Sequence, residues 1–254
     1  MTGQRESVLM ETIETLLAAR KGEPIADLPA ELVPAEIGEV YFVQDAIAEA
    51  YGDIGGWKIG APTPEATPLF APMPLVWMAH SGNELTGPHW RYRGLEAEIA
   101  FLVGEDLPPR ATPYTREEAL AAMASCHPAI EVLESAFIDP MVVTKFSALA
   151  DLQMHGGFVP GPAVEGWQTI DFNAETVTLS VDGVVRVERT GSNTSGDLLK
   201  LIPWLANEGA ARTGGLRKGQ WITTGSWTGY TPASVNARVD VEFTHAGHVG
   251  LRFA

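Results

Sequence analysis

The chain has a single cysteine, Cys126, among its 254 residues. No intrachain disulfide framework is possible, and zinc sites built from several thiolates are excluded. Positive charge is also scarce. Seventeen Lys and Arg stand against 32 Asp and Glu, a formal net charge of −15, which argues against a surface for nucleic acid or an anionic membrane. No run approaches the ~20 apolar residues that a membrane-spanning helix needs. The opening Met1-Thr2-Gly3-Gln4-Arg5-Glu6 leads into an amphipathic segment rather than an apolar signal core, and a cytoplasmic location is the expectation. What is present is 45% hydrophobic residues, enough for a substantial core and unlike a disordered chain.

The apolar pattern changes along the chain. Leu9, Ile13, Leu16 and Leu17 recur at helical spacing over residues 7–20, with Ser7 available as N-cap. A second helix is expected from Pro34, carrying Ile37, Val40, Val43 and Ile47 on one face and stopping at Gly52. From Trp57 onward the texture becomes short strands and turns. Trp57-Lys58-Ile59-Gly60 reads as a strand, Ala61 to Pro74 as a proline-rich loop, and Leu95 to Val103 as a strongly alternating strand. Thr115-Arg116-Glu117-Glu118 is a capping box for a short helix ending near Ser125, and Ala129 to Glu134 is a further strand. Asp182-Gly183 joins a hairpin, and a terminal hairpin turns around Ala246-Gly247. A short helix after Ser195 contains Pro203, which should end or kink it. The pattern is α+β, with an N-terminal helical subdomain over 1–52 and a β-rich domain over 53–254, the latter expected to be the catalytic, metal-binding one from the residues that follow.

Glu96 and Glu98 lie two residues apart in the alternating strand, so they share a face with Cα atoms about 6.6–6.8 Å apart. Leu95, Ala97, Ile99, Phe101 and Val103 occupy the other face, which is the core face. Two like charges side by side repel unless a cation sits between them, and a hard cation with oxygen ligands suits them. Glu131 interrupts the apolar run Pro128-Ala129-Ile130-Glu131-Val132-Leu133, where a carboxylate is costly unless paired or metal-bound. Glu134, of opposite parity, is expected to close that strand at its wet end.

Five ordered segments carry a resemblance. They are Gly56-Trp57-Lys58-Ile59-Gly60, Leu95-Glu96-Ala97-Glu98-Ile99-Ala100-Phe101, Pro128-Ala129-Ile130-Glu131, Trp204-Leu205-Ala206-Asn207 and Gly219-Gln220-Trp221-Ile222-Thr223-Thr224-Gly225-Ser226. In order and spacing over roughly residues 35–254 the chain resembles the fumarylacetoacetate hydrolase superfamily, and within it the 2-keto-4-pentenoate and 2-oxo-hept-3-ene-dioate hydratases. The resemblance implies a mixed β-sheet roll with an N-terminal helical part. It implies Mg²⁺ or Mn²⁺ held by Glu96, Glu98 and Glu131, chelating the carboxylate and 2-oxo oxygens of a small 2-oxo acid. Lys58 is implied as a proton-managing residue beside the metal, with Asp151 or His155 sharing the shuttle. Gly225 and Ser226 are implied to offer an amide and a hydroxyl to a substrate oxygen.

The surrounding residues depart from the hydratase pattern. A Ser-Asp-Asn stretch becomes Ala150-Asp151-Leu152, the Gly-His-Pro before Trp204 becomes Gly196-Asp197-Leu198, and an Asp-Ser-Arg becomes Glu134-Ser135-Ala136. Hydration of a 2-hydroxy-2,4-dienoate to a 4-hydroxy-2-oxo acid, in aromatic-compound catabolism, is the leading expectation. The alternatives are decarboxylation of a 2-oxo-enedioate of the 4-oxalocrotonate type, hydrolytic C–C cleavage of an acylpyruvate, and a non-catalytic partner subunit. The last is linked to a complex with a pathway enzyme. A homo-oligomer is implied by the resemblance. His80, His89, His127, His245 and His248 show no ligand spacing.

Overall fold

A computed structural model describes residues 3–254; Met1 and Thr2 of the opening segment lie outside the described residues. Helix α1 spans Gly3–Lys21 and α2 spans Ile37–Tyr51. Ser7 is therefore inside α1 rather than at its cap. The extra first turn is tied down by Arg5, whose Nε donates to Glu39 Oε1 at 2.7 Å and whose Nη2 donates to the Val33 carbonyl at 3.1 Å. Helix α2 starts three residues after Pro34 and stops at Gly52, which has φ +104° and donates its amide to the Glu49 carbonyl. Leu9, Ile13, Leu16, Val43 and Ile47 are buried together with Ala136, Phe137, Ala150 and Leu152. The two helices thus close their core on segments at least 85 residues downstream of α2. Each fully buried aliphatic side chain there contributes about 1.5–3 kcal/mol.

The strands are β1 (Ile54–Gly60), β2 (Leu69–Pro74), β3 (Glu84–Leu85), β4 (Gly94–Val103), β5 (Met123–Leu133), β6 (His155–Pro160), β7 (Thr176–Val181), β8 (Val184–Thr190), β9 (Trp221–Thr223), β10 (Thr231–Pro232), β11 (Arg238–Phe243) and β12 (Gly247–Phe253). Seven of them form one mixed sheet in the order β2-β1-β9-β4-β5-β6, with β10 added to β4, and five form a second in the order β3-β12-β11-β7-β8. β1 runs parallel to β9, and β3 parallel to β12; the other pairs are antiparallel. Ile99, Phe101 and Val103 of β4 share a core with Leu179, Val241 and Leu251 of the second sheet. The odd-numbered face of β4 is therefore the inter-sheet face, and the even-numbered face, with Glu96 and Glu98, looks the other way. Beyond the glutamates that face turns apolar, where Ala100 packs with Met73, Ala129 and Phe158.

Three expectations change. Residues 69–74 form a strand instead of the end of a loop: β2 is an edge strand paired only with β1, so Pro72 and Pro74 cost it no second ladder. The capping box at Thr115 is present, but α3 covers only Arg116–Ala121, and β5 begins at Met123, six residues before the expected strand. Downstream of Ser195, α5 is a four-residue helix, Leu201–Trp204, with Pro203 in its first turn; 3-10 and π turns flank it. The 182–183 turn has φ +53° at Asp182 and +74° at Gly183, as a two-residue hairpin requires. The remaining helix, α4, spans Lys145–Ala150. No helix among the described residues is long and apolar enough to cross a membrane.

Candidate metal centre

Register brings the three glutamates together. Glu96 of β4 stands directly opposite Glu131 of β5, and Glu98 lies two residues along the same face. One carboxylate oxygen from each falls within 4.8 Å of the others. Two unit charges 4 Å apart repel by about 4 kcal/mol at an effective dielectric of about 20, and Glu98 and Glu131 are buried as well. Burial, then repulsion from Glu131, raises the pKa of Glu96; burial, then Glu131 and Glu96, raises that of Glu98 further. Burial pushes Glu131 upward too, but Lys58 and His155 together outweigh it and hold this carboxyl at about 2. The cluster thus contains one firmly ionised carboxylate beside two that bind protons readily.

Two of the three glutamates, Glu131 and Glu98, are oriented from elsewhere in the chain. Lys58 Nζ, from β1, donates to Glu131 Oε1 at 2.5 Å and to the Gln153 carbonyl at 2.9 Å. His155 Nδ1 lies 3.0 Å from the same Glu131 oxygen. With a carboxylate as partner Nδ1 is the donor, and burial lowers the ring's pKa, so the imidazole is neutral at pH 7. Burial would lower the Lys58 pKa, but Glu131, Glu96 and Glu98 raise it and keep the ammonium charged. Glu98 Oε2 accepts from the Thr223 hydroxyl and from the Gly225 amide, the latter at 2.9 Å. Glu131 Oε2 is buried with no hydrogen-bond partner. Three clustered carboxylates, one of them with a bare, buried oxygen, are a donor set for a hard divalent cation, so the residues fit the metal implied by the sequence.

Lys58, Glu96, Glu98, Gln153, Gly225 and Ser226 line a cleft of about 350 Å³ over this cluster. Ile59, Pro62 and Leu69 give it apolar walls, and Lys145 lines it from an exposed position. Gly225 and Ser226 reach the cleft, but the Gly225 amide is committed to Glu98 and so orients a ligand instead of binding substrate. Ser226 lies beside Glu96, moderating that carboxyl's raised pKa, and its hydroxyl accepts the Gly229 amide at 2.9 Å.

Two of the three expected proton carriers lie elsewhere. Asp151 is fully buried and absent from the cleft lining. One of its oxygens accepts from Arg20 Nε, and the other accepts from the Ser135 hydroxyl at 2.7 Å and the Ala136 amide at 2.8 Å. Three donors within the protein thus hold this carboxylate away from the cleft. His155 is likewise outside the lining and reaches the site only through Glu131. A Glu–His pair therefore exists in space, though not along the sequence, but its ring does not face the cleft. Glu134 is not at a wet end: it is buried and accepts the amides of Tyr92 and Arg93 at 2.9 and 2.7 Å.

Sequence reasoning also missed Arg20, Gln153 and Thr223. Leu152, Gln153 and Met154 have φ of +50°, +53° and +63°, three consecutive non-glycine residues in the left-handed region, each costing of order 1–3 kcal/mol. A glycine-poor sequence gives no signal for such a turn.

Residues 43–252 match the fumarylacetoacetate (FAA) hydrolase C-terminal family. The chain is 27% identical over 181 residues to a 4-oxalocrotonate decarboxylase from a Pseudomonas species, a match covering 69% of this chain and 66% of that protein, just under two thirds of its length. In structure it is similar to 4-oxalocrotonate decarboxylase from Pseudomonas putida G7, complexed with magnesium and adipate. The TM-score is 0.84 at 22% identity, covering 100% of this chain and 99% of that one. It is more distantly similar to 2-hydroxyhepta-2,4-diene-1,7-dioate isomerase from Mycobacterium marinum, with TM-score 0.58 and 16% identity over 79% and 75% of the two chains. At these structural identities the likeness is one of fold.

Proposed function

The chain belongs to the fumarylacetoacetate hydrolase family, and from that premise we propose that it is a Mg²⁺-dependent decarboxylase of a 2-oxo-enedioate. The observation that carries this reading is the convergence of Glu96, Glu98 and Glu131, with one bare buried oxygen, at a cleft lined by Lys58. The match to a 4-oxalocrotonate decarboxylase favours this chemistry over the hydratase expectation. So does the site itself: adding water needs a base to activate that water, Lys58 is a charged ammonium, and Asp151 and His155 both lie outside the cleft lining. Decarboxylation needs no activated water.

Glu96, Glu98 and Glu131 would hold the cation, which when bound would supply Lewis-acid stabilisation of negative charge on a 2-oxo acid. The C5–C6 bond of a 2-oxohex-3-enedioate breaks, its electron pair moves through C4 and C3 toward the 2-oxo oxygen, and C6 leaves as carbon dioxide. Lys58 has three N–H donors, of which Glu131 and Gln153 take two. The third is free to hydrogen-bond the oxygen on which charge accumulates and to deliver its proton, giving a 2-hydroxy-2,4-dienoate. The apolar walls of Ile59, Pro62 and Leu69 desolvate the departing carboxylate. Lys145, which has no carboxylate within salt-bridge distance among the described residues, gives the substrate's second carboxylate its point of entry. The magnesium and adipate bound by the P. putida relative support both a divalent cation and a dicarboxylate. Homo-oligomerisation, and association with an enzyme that consumes the dienoate, belong to the same proposal.

The test is purified protein with Mg²⁺ and 4-oxalocrotonate, followed by ultraviolet absorbance and CO₂ release. One CO₂ per substrate consumed is expected. Loss of 2-hydroxypenta-2,4-dienoate absorbance without CO₂ from the enedioate would restore the hydratase, and turnover of neither would favour a partner subunit.

A further inference from the structure

We infer that Arg20, on the N-terminal helix, is a positioning residue for the metal centre, because it brackets the left-handed turn that holds Glu131 in its ligating orientation. The inference rests on the metal reading of the three glutamates, not on any particular substrate.

Arg20 is buried near the C-terminal end of α1, 131 residues from Asp151. Its guanidinium touches both ends of the 151–155 turn. Nη2 donates to the Asp151 carbonyl at 2.9 Å, Nη1 donates to the His155 carbonyl at 3.0 Å, and Nε donates to the Asp151 carboxylate. Nη2 also reaches the Glu134 carbonyl at 3.4 Å, beside the end of β5. Trp77 lies against the guanidinium at 5.1 Å. Asp151 extends the bracket through Ser135 and the Ala136 amide. Between the bracketed ends lie Leu152, Gln153 and Met154, all at positive φ.

That turn has two outputs, both at the metal centre. The Gln153 carbonyl accepts from Lys58 Nζ, and the His155 ring donates to Glu131 Oε1. Glu131 is thereby held on one oxygen by two partners, leaving Oε2 bare. A backbone in the left-handed region relaxes when its restraint is removed. Relaxation here withdraws His155 from Glu131 and the carbonyl from Lys58. Five donors in a planar fork are what bridge two carbonyls and a carboxylate at once, and a lysine ammonium does not replace them.

The experiment measures Mn²⁺ affinity of the purified full chain by calorimetry or electron paramagnetic resonance, with melting temperature alongside. Groups that orient metal ligands typically account for about 10–100-fold in affinity, so R20K and the isosteric D151N should each weaken Mn²⁺ binding within that range. R91M is the control. Arg91 also fastens the end of α1, donating to the Ala19, Gly22 and Ser135 carbonyls, but it contacts neither end of the turn. It should lower the melting temperature but, meeting the bracket only through the Ser135 carbonyl, weaken Mn²⁺ binding clearly less than R20K does. Unchanged affinity in both R20K and D151N, whatever their melting temperatures, overturns the inference. So does an equal loss in R91M, which would make helix docking, not the bracket, the cause. E131Q separates the inference from its premise: if Mn²⁺ binding survives that change, the metal centre itself is refuted.

Discussion

Lys58→Met removes the one cation that, among the described residues, touches the glutamate cluster, while keeping the length of the side chain. In the metal-free protein the variant has two ways to respond. It can keep Glu131 ionised with no counter-charge, and breaking a buried pair in this way costs about 3–5 kcal/mol. Alternatively, Glu131 takes up a proton. For a carboxyl with an ordinary pKa of 4.5, protonation at pH 7 costs about 3.4 kcal/mol, from 2.5 units at about 1.36 kcal/mol each. The cheaper route sets a ceiling, so a loss of about 3 kcal/mol is expected at pH 7. The pH dependence follows from the same groups. The parent's Glu131, depressed to about 2, contributes stability that is present above 4.5 and is lost as pH falls from 4.5 toward 2. At pH 5 the parent keeps most of that stability, whereas protonating Glu131 in the variant costs only about 0.7 kcal/mol. The gap between parent and variant should therefore narrow by up to about 2.7 kcal/mol between pH 7 and pH 5. Urea unfolding in EDTA at the two pH values measures it. An equal loss at both, or less than about 1 kcal/mol at pH 7, would show that Lys58 does not neutralise a buried carboxylate.

Three further outcomes follow from the same geometry. Glu96→Ala/Glu98→Ala should abolish the metal content found in the parent by elemental analysis; equal occupancy would remove the central claim. Protons compete for Glu96 and Glu98, whose pKa values are raised by burial and mutual repulsion, so Mn²⁺ affinity should fall as pH is lowered. Calorimetry in two buffers of different ionisation enthalpy should register proton release on binding, and buffer-independent heats would contradict this. Lys145→Ala should raise KM for an enedioate by about ten-fold, a loss of about 1.4 kcal/mol, with kcat little changed. A comparable KM rise for a 2-oxo monocarboxylate would show that Lys145 does not read the second carboxylate.

The part of the site written in strand parity was legible. Leu95 to Ile99 alternates without interruption, which assigns Glu96 and Glu98 to one face before any pairing is known, and Glu131 stands out because an apolar strand has no use for it. Lys58 came from resemblance, not from its own context. Partners far apart in sequence were not legible. Arg20 reads as an ordinary basic residue in the last turn of a helix, and nothing near Asp151 announces that its carboxylate is already taken. Pro72 and Pro74 disguised β2 because their tolerance depends on an edge position that only the assembled sheet defines. The start of β5 was hidden by Ser125, His127 and Pro128, which break the pattern that Ala129 to Leu133 displays. The Gly225 amide was expected at a substrate oxygen, and its bond to Glu98 was not legible, since it joins residues 127 apart.

That last separation has a consequence for the order of events at the ribosome. The three glutamates are synthesised within residues 96–131, but the hydroxyl and amide that fix Glu98 come from Thr223 and Gly225, 125 and 127 residues after it. Contacts of such range form late, after the intervening chain is in place. A nascent chain therefore carries its carboxylates long before it can present them as one site. Selection of the cation is deferred to the nearly finished protein, where cleft shape and ligand geometry choose among the ions available.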